Sequence, residues 1–395
     1  MAKIMVVAGG EWQCPLVKTI KNMGHYVVCT NLYKNSPAFS YADVGVVADV
    51  LDKEKNLEIA KKYNVDAVVT DQSDIAVPTV AYVAEKLNLR GIGASQAELF
   101  TNKYLMREFC KKNDFAYPEY RLCYNKEEVE SFAALFPKVV IKPLNGQSSR
   151  GISVIYNGSA IEQCFNKAIT YSSGKDAVIV EEFLEGVEFT VDGLRTKDGY
   201  ESLAVSKKRH YSYNPSIAKE LYFENYDEQY DYDELRKLNK ELVLKMDLPF
   251  GLTHAEYKYM NGKYYLIEIG ARGGGTKISS DIVPHMSGVN SNEILINTLL
   301  GEDVKYDFHY DKNKCAVLGF FDFKAGKVSG ISGIEDAKQL DGVVSLVLNF
   351  NVGDYITEAQ DDRTRIGHYI ILSETRESLR EIEEKLKEII KIYYE

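Results

Sequence analysis

"THAEYKYMNGKYYLIEIGARGGG", residues 253–275, is two apolar-rich runs joined by Asn261-Gly262. Asn-Gly between such runs signals a two-residue hairpin, because both turn positions need the left-handed backbone these residues tolerate. Two antiparallel strands are therefore expected, and each carries one acid among apolar neighbours. Glu256 lies five residues before Asn261 and Glu268 six after Gly262. Both can sit on neighbouring strands, and period-2 alternation lets them project to one face. A charged group in a strand core is costly unless a counter-charge or metal compensates it. Two carboxylates side by side repel unless a cation intervenes. Hard Mg²⁺ (or Mn²⁺), with oxygen ligands and substrate phosphates completing its shell, fits this pair. Arg272, in the glycine-loosened loop that follows, is placed to meet negative charge developing on a transferred phosphoryl group.

Two upstream stretches point to a nucleotide. "VVIKPLNGQSSRGISV" (139–154) puts Lys142 at a strand end, followed by a loop from Asn145 to Gly151. Small residues there let backbone N–H groups approach phosphate oxygens, and the hydroxyls of Ser148 and Ser149 add donors. Lys142 supplies a point charge to the same phosphates. In "VIVEEFLEGVEFTVD" (178–192), backbone groups around Glu182 and Leu184 suit an adenine edge, and Glu188 suits a ribose diol. Either stretch alone is also explained by a polar hairpin. "GARGGGTK" is no P-loop, since the GxxxxGK[ST] spacing is absent. His254 reads as a satisfied supporting group rather than a metal ligand. "SKKRHYSY" (206–213) reads as a mobile basic loop over an anionic small molecule, or as a solvated turn.

The chain order divides into three. Residues 1–95 alternate strand and helix: strands in "IMVVAGG", "YVVCT", "VGVVADV" and "DAVVT", helices at about 54–63 and 77–88. This is the pattern of a doubly wound parallel sheet, whose ligands lie beyond the carboxyl ends of strands. Gly9, Gly10 and "DQSD" (71–74) occupy those ends. Residues 96–305 open on a helix expected over about 96–112, capped by Ser95 with Glu98 three residues later and carrying Lys103 near its apolar edge. Strands follow at 137–194, then a long segment of helix and loop, then the hairpin. Residues 306–395 interleave strands with helices, the last at about 377–392, as a small α+β domain.

Composition sets the bounds. The 395 residues are 45% apolar and 27% charged, ordinary for a soluble protein, and no apolar run approaches the roughly 20 residues of a membrane span. The N-terminus reads as a strand entering a glycine turn rather than a signal peptide. A net charge of −10 argues against broad nucleic-acid binding. The six cysteines lack CxxC spacing, which fits a reducing cytoplasm.

Taken in order, these motifs resemble the ATP-grasp superfamily over nearly the whole chain. The match is a series: a Rossmann-like pre-domain, "TNKYLMREF", "VVIKP", the glycine-serine loop with Gly151, "VEEFLEGVEF", "HAEY" and "IEIGARGGG". "IEIGARGGGTKISSDIVPHMSGV" and the C-terminal region are most similar to the carboxylate–amine ligase branch, the L-amino-acid ligase-like group. The resemblance implies an α/β and α+β multidomain fold: pre-domain, ATP-grasp domain and small C-terminal domain. It implies Lys103 and Lys142 as phosphate contacts and Glu181, Glu182, Phe183 and Leu184 as an adenine hinge. It further implies Glu188 as a ribose acid, Glu256 and Glu268 as magnesium ligands, and Arg272 as the catalytic arginine. Gly270 stands where many members have asparagine, with Ser279 one residue that could compensate.

The implied chemistry is ADP-forming: ATP phosphorylates a carboxylate, and an amine displaces phosphate from the acylphosphate. Alternatives on the same fold are bicarbonate activation, of the purine-biosynthesis or biotin-carboxylase type, and a nucleotide-binding regulatory protein without turnover. The implied partners are small carboxylates and amines, with no nucleic acid or membrane, and a homodimer by analogy.

Overall fold

The computed structural model describes residues 1–146, 148–172, 176–302 and 305–395. Strands β1 (Lys3–Val7), β2 (Tyr26–Asn31), β3 (Val44–Val47) and β4 (Ala67–Val69) form a parallel sheet in the order β3-β2-β1-β4. Apolar runs buried on both faces suit parallel strands covered by helices, and Ile4, Met5, Val6 and Val7 are fully buried. The helices Lys53–Tyr63 and Val77–Lys86 match the expected positions.

The expected single helix over 96–112 is instead two, Ala94–Leu99 and Lys103–Lys112. Ser95 lies inside the first and caps nothing; its hydroxyl bonds Gln96. The cap is Asn102, whose side chain accepts from the N–H groups of Tyr104 and Leu105 and restarts the helix there. Lys103 thereby becomes the first residue of a helix, facing inward and buried.

A second, antiparallel sheet holds β5 (Tyr120–Cys123), β6 (Lys138–Pro143), β7 (Ser153–Tyr156) and β8 (Val178–Glu182), in the order β5-β8-β6-β7. Next come β9 (Val187–Thr196), β10 (Gly199–Tyr211), β11 (Asn214–Glu224), β12 (Gly251–Met260) and β13 (Lys263–Gly270). The C-terminal strands are β14 (Cys315–Phe320), β15 (Gly326–Ser332), β16 (Val343–Leu348), β17 (Tyr355–Ile356), β18 (Gly367–Ser373) and β19 (Lys391–Tyr394). One eight-stranded sheet runs β13-β12-β9-β10-β11-β14-β18-β16, continuous across residue 305; β17-β15-β19 form a small separate sheet.

Two sequence expectations fail here. Residues 206–211 are neither a mobile loop nor a solvated turn: they end β10, in the interior of the large sheet, and only 212–213 form the exposed turn into β11; the segment expected as helix and loop holds two long strands. The clustered charge disguised the alternation, in which Ser206, Lys208 and His210 share one face and Lys207 and Arg209 the other. Likewise the final helix ends at Ile389, because residues 391–394 pair with β15.

An apolar cluster fixes the first sheet against the large one, running from Val6 and Ile20 through Ile282 and Met286 to Leu318 and Ile370. Among the described residues, no helix is long and apolar enough to cross a membrane.

Candidate active site

The hairpin turns on Asn261 and Gly262, both left-handed (φ 51° and 76°), and its register sets Glu256 directly opposite Glu268. A regular two-residue hairpin would oppose Glu256 to Ile267 and turn the acids to opposite faces; a bulge between Glu256 and Tyr257 shifts the register by one residue and brings both carboxylates to one face. Each is 27% exposed, and each is neutralised by a different lysine. Lys103 Nζ donates to Glu268 Oε1 (2.7 Å), and Lys208 Nζ to Glu256 Oε1 (2.8 Å) and Glu188 Oε1 (2.6 Å). Burial alone would favour the neutral form of Lys208, but Glu188 and Glu256 outweigh it and raise its pKa. The same attraction overcomes burial at Glu188, holding it at about 2 with help from His210, and keeps Glu256 well below the usual carboxylate range. His254 Nδ1 sits 2.9 Å from Asp192 Oδ1; Asp192 outweighs burial and lifts the imidazole to about 9. His254 is thus a satisfied supporting group, a positive charge beside Glu256.

Lys142 is held from beneath. Its Nζ donates to Glu181 Oε2 (2.6 Å), while Arg107 Nε donates to Glu181 Oε1 (2.7 Å). Glu181 is only 1% exposed; burial opposes its ionisation, yet the two cations hold it at about 2. Its side chain therefore anchors Lys142, and Glu181 lines the cleft together with Glu182, Phe183 and Leu184. The N–H groups of Glu182 and Phe183 are engaged by the carbonyls of Glu119 and Lys138, and the carbonyl of Leu184 accepts from Lys258. In the glycine-serine loop, Ser148, Ser149 and Gly151 all take left-handed backbones (φ 59°, 57°, 73°). Such backbones are uncommon for non-glycine residues. Gln147, within the expected loop, lies outside the described residues.

The first sheet contributes acids from the end of β4. Asp71 is buried, and that burial raises its pKa. Its Oδ1 accepts from Gly273 N (2.9 Å) and its Oδ2 from Ser279 Oγ (2.6 Å). Asp74 takes Arg272 in a two-pronged ion pair, Nε to Oδ1 at 2.9 Å and Nη2 to Oδ2 at 2.5 Å. The C-terminal region closes the far wall: Arg365 pairs with Asp362 (2.7 Å), Ser149 Oγ reaches Asp362 Oδ2 (3.4 Å), and His368 meets the ring of Trp12 edge-on (5.5 Å). All three regions border one cavity of about 670 Å³.

A family model of the ATP-grasp domain matches residues 135–281, and one of the L-amino acid ligase C-terminal domain 2 matches residues 319–395. The solved L-amino acid ligase from Bacillus licheniformis superposes at a TM-score of 0.81, with 19% identity, over 100% of this chain and 99% of that one. The chain has the ATP-grasp fold. Phosphoribosylglycinamide synthetase from Anaerococcus prevotii shares the fold at a TM-score of 0.74 and 20% identity, over 100% of both chains. In sequence, the formate-dependent phosphoribosylglycinamide formyltransferase of Erythrobacter litoralis is 29% identical over 204 residues, which is 50% of this chain and 52% of that protein. The chain spans about half the length of the curated relatives it matches.

Within this ATP-grasp fold, Lys103, Lys142, Ser148, Ser149, Glu188, Glu256, Glu268 and Arg272 all border the one cavity. Gly151 stands behind it, where an added Cβ would meet Pro143 and Tyr171 at 2.8 Å. Sequence reading missed Lys208, Arg107 and the Asp362–Arg365 pair. Only the alternation across 206–210 held a signal for the first; the others depend on chain crossings that no local pattern records. Ser279, considered as a stand-in for the missing asparagine, is instead committed to Asp71.

Proposed function

We propose that this protein is an ATP-dependent, ADP-forming carboxylate–amine ligase. The observation that carries the reading is the opposed Glu256–Glu268 pair, with Lys103, Lys142, Lys208 and Arg272 converging on the same cavity. The donor set is hard oxygen, and ammonium groups already neutralise both acids, so this chain's residues fit a divalent cation. Glu256 and Glu268 would hold Mg²⁺, or Mn²⁺, while phosphates and water complete its shell. When bound, the metal supplies charge neutralisation and orientation of the triphosphate.

On nucleotide binding, Lys103 and Lys208 exchange carboxylates for phosphate oxygens, and Lys142 adds a third positive charge from its Glu181 anchor. The hinge from Glu182 to Leu184 borders the adenine, and Glu188 the ribose. A carboxylate is a poor electrophile, and its phosphorylation creates a leaving group that an amine can displace. Arg272 neutralises the transferring phosphoryl group. The left-handed loop around Ser148 and Ser149, tied to Asp362, keeps water from the acylphosphate. In this reading residues 1–95, 96–305 and 306–395 act as pre-domain, ATP-grasp domain and C-terminal domain. The enzyme works in the cytoplasm on small molecules, as a homodimer.

The test is ADP and phosphate release with a panel of carboxylates and amines, each supplied alone and paired. Release that needs both supports the ligase. Release driven by bicarbonate assigns the protein to the carboxylating enzymes, and ATP binding without turnover refutes an enzymatic role.

A further inference from the structure

Arg272 stands in a loop that Gly270, Gly273, Gly274 and Gly275 leave without side-chain support. Catalysis by a guanidinium needs its plane fixed to within a fraction of an ångström. In this loop the fixing comes from elsewhere in the chain. Asp74, 198 residues away in sequence, grips Nε and Nη2 together, while Nη1 donates to the carbonyl of Gly273 (3.0 Å). A bidentate pair of this kind sets orientation as well as charge. Among the described residues it uses three of the guanidinium's five N–H groups, leaving two for an oxyanion.

Gly270 is the reason Asp74 can reach. Its backbone is not left-handed, so conformation does not demand glycine. Space does: a Cβ there would lie 2.5 Å from Asp74 Oδ1 and 3.3 Å from Arg272 Nε. The neighbouring contacts hold the same two segments in register, since Asp71 bonds Gly273 and Ser279 while Gln72 Oε1 accepts from Lys277 N (3.0 Å).

We propose that Asp74 is the positioning residue for Arg272, and that Gly270 exists to admit its carboxylate. The departure from asparagine at 270 then trades a side chain next to the metal acids for a clamp supplied by the N-terminal sheet. The inference rests on the ligase reading for Arg272's role, but not for the clamp itself.

The experiment compares Asp74→Asn, Asp74→Glu, Gly270→Asn and the Asp74→Asn/Gly270→Asn double variant in ADP formation. For Asp74→Asn we expect kcat to fall roughly 10- to 100-fold with KM for ATP unchanged, in line with loss of an aligned charge donor. Asp74→Glu recovers part of the loss. Gly270→Asn displaces the carboxylate and lowers kcat similarly, and the double variant is no worse than either single one. Retained kcat in Asp74→Asn, multiplying effects in the double variant, or a rise confined to KM for the amine would overturn the assignment. If the wild type forms no ADP with any substrate, the ligase reading fails separately. The clamp is then read from the side-chain NMR signal of Arg272, identified by its loss in Arg272→Lys. Slow exchange of its Nε–H in the wild type and fast exchange in Asp74→Asn sustain the clamp; equal rates refute it.

Discussion

Replacing Glu181 with glutamine keeps the side chain's volume and removes the one negative charge between two buried cations. Arg107 is fully buried and Lys142 is 7% exposed. Arg107 cannot turn to water, so the variant strands it, while Lys142 loses its anchor at the cavity wall. Two routes give the size of the effect. A carboxyl held at about 2 instead of 4.5 is stabilised in its ionised form by about 3 kcal/mol, at about 1.4 kcal/mol for each pH unit. Breaking a buried ion pair from one side typically costs roughly 3–5 kcal/mol. Urea denaturation at pH 7 should therefore show Glu181→Gln less stable by about 3 kcal/mol. The pH dependence has a definite sign. Because folding lowers the pKa of Glu181, its contribution is complete above about 4.5 and fades as pH falls towards 2. The gap between wild type and variant should accordingly narrow as unfolding is followed downward from pH 5. A gap under about 1 kcal/mol at pH 7, or one that ignores pH across that window, would refute the claim that Glu181 is a buried anchor.

Glu268→Gln removes the charge of a proposed metal ligand and the partner of Lys103 without changing volume; ADP formation should vanish while the far-UV spectrum stays native, and normal turnover would overturn the metal assignment. Lys142→Ala should weaken ATP binding measured by calorimetry, and unchanged affinity would take Lys142 out of the site. Lys208→Met leaves Glu188 and Glu256 without their shared cation, so urea denaturation should register a loss on the order of 3–5 kcal/mol; a loss below about 1 kcal/mol would mean that the strand pairing, not the ammonium, holds those acids. Ser279→Ala deprives buried Asp71 of one donor, with an expected cost of about 1–3 kcal/mol in the same assay.

The chain's own pattern determined its local structure. Asn261-Gly262 marked a tight hairpin and put Glu256 and Glu268 on neighbouring strands, but the residue count alone opposes Glu256 to Ile267; the bulge at Glu256–Tyr257 decides that the two acids share a face. The alternation of apolar runs and helices in the first 90 residues likewise required a covered parallel sheet. What failed was local pattern overridden by context. The Ser95–Glu98 spacing matched a capping box, yet Asn102 had the better geometry; the charges of 206–213 hid a strand because their counter-charges lie on β9, β11 and β12.

Only the tertiary structure decided which charges meet. That Lys208 lies between Glu188 and Glu256, that Glu181 faces inward to Arg107 and Lys142, and that Asp74 clamps Arg272 all depend on contacts between residues far apart in the chain. Sequence spacing fixes the face on which a side chain projects only while the backbone repeat of two or 3.6 residues is unbroken, and the bulge beside Glu256 breaks it. Spacing carries no record of the partner, because ion pairing acts through space and answers only to how the sheets finally pack.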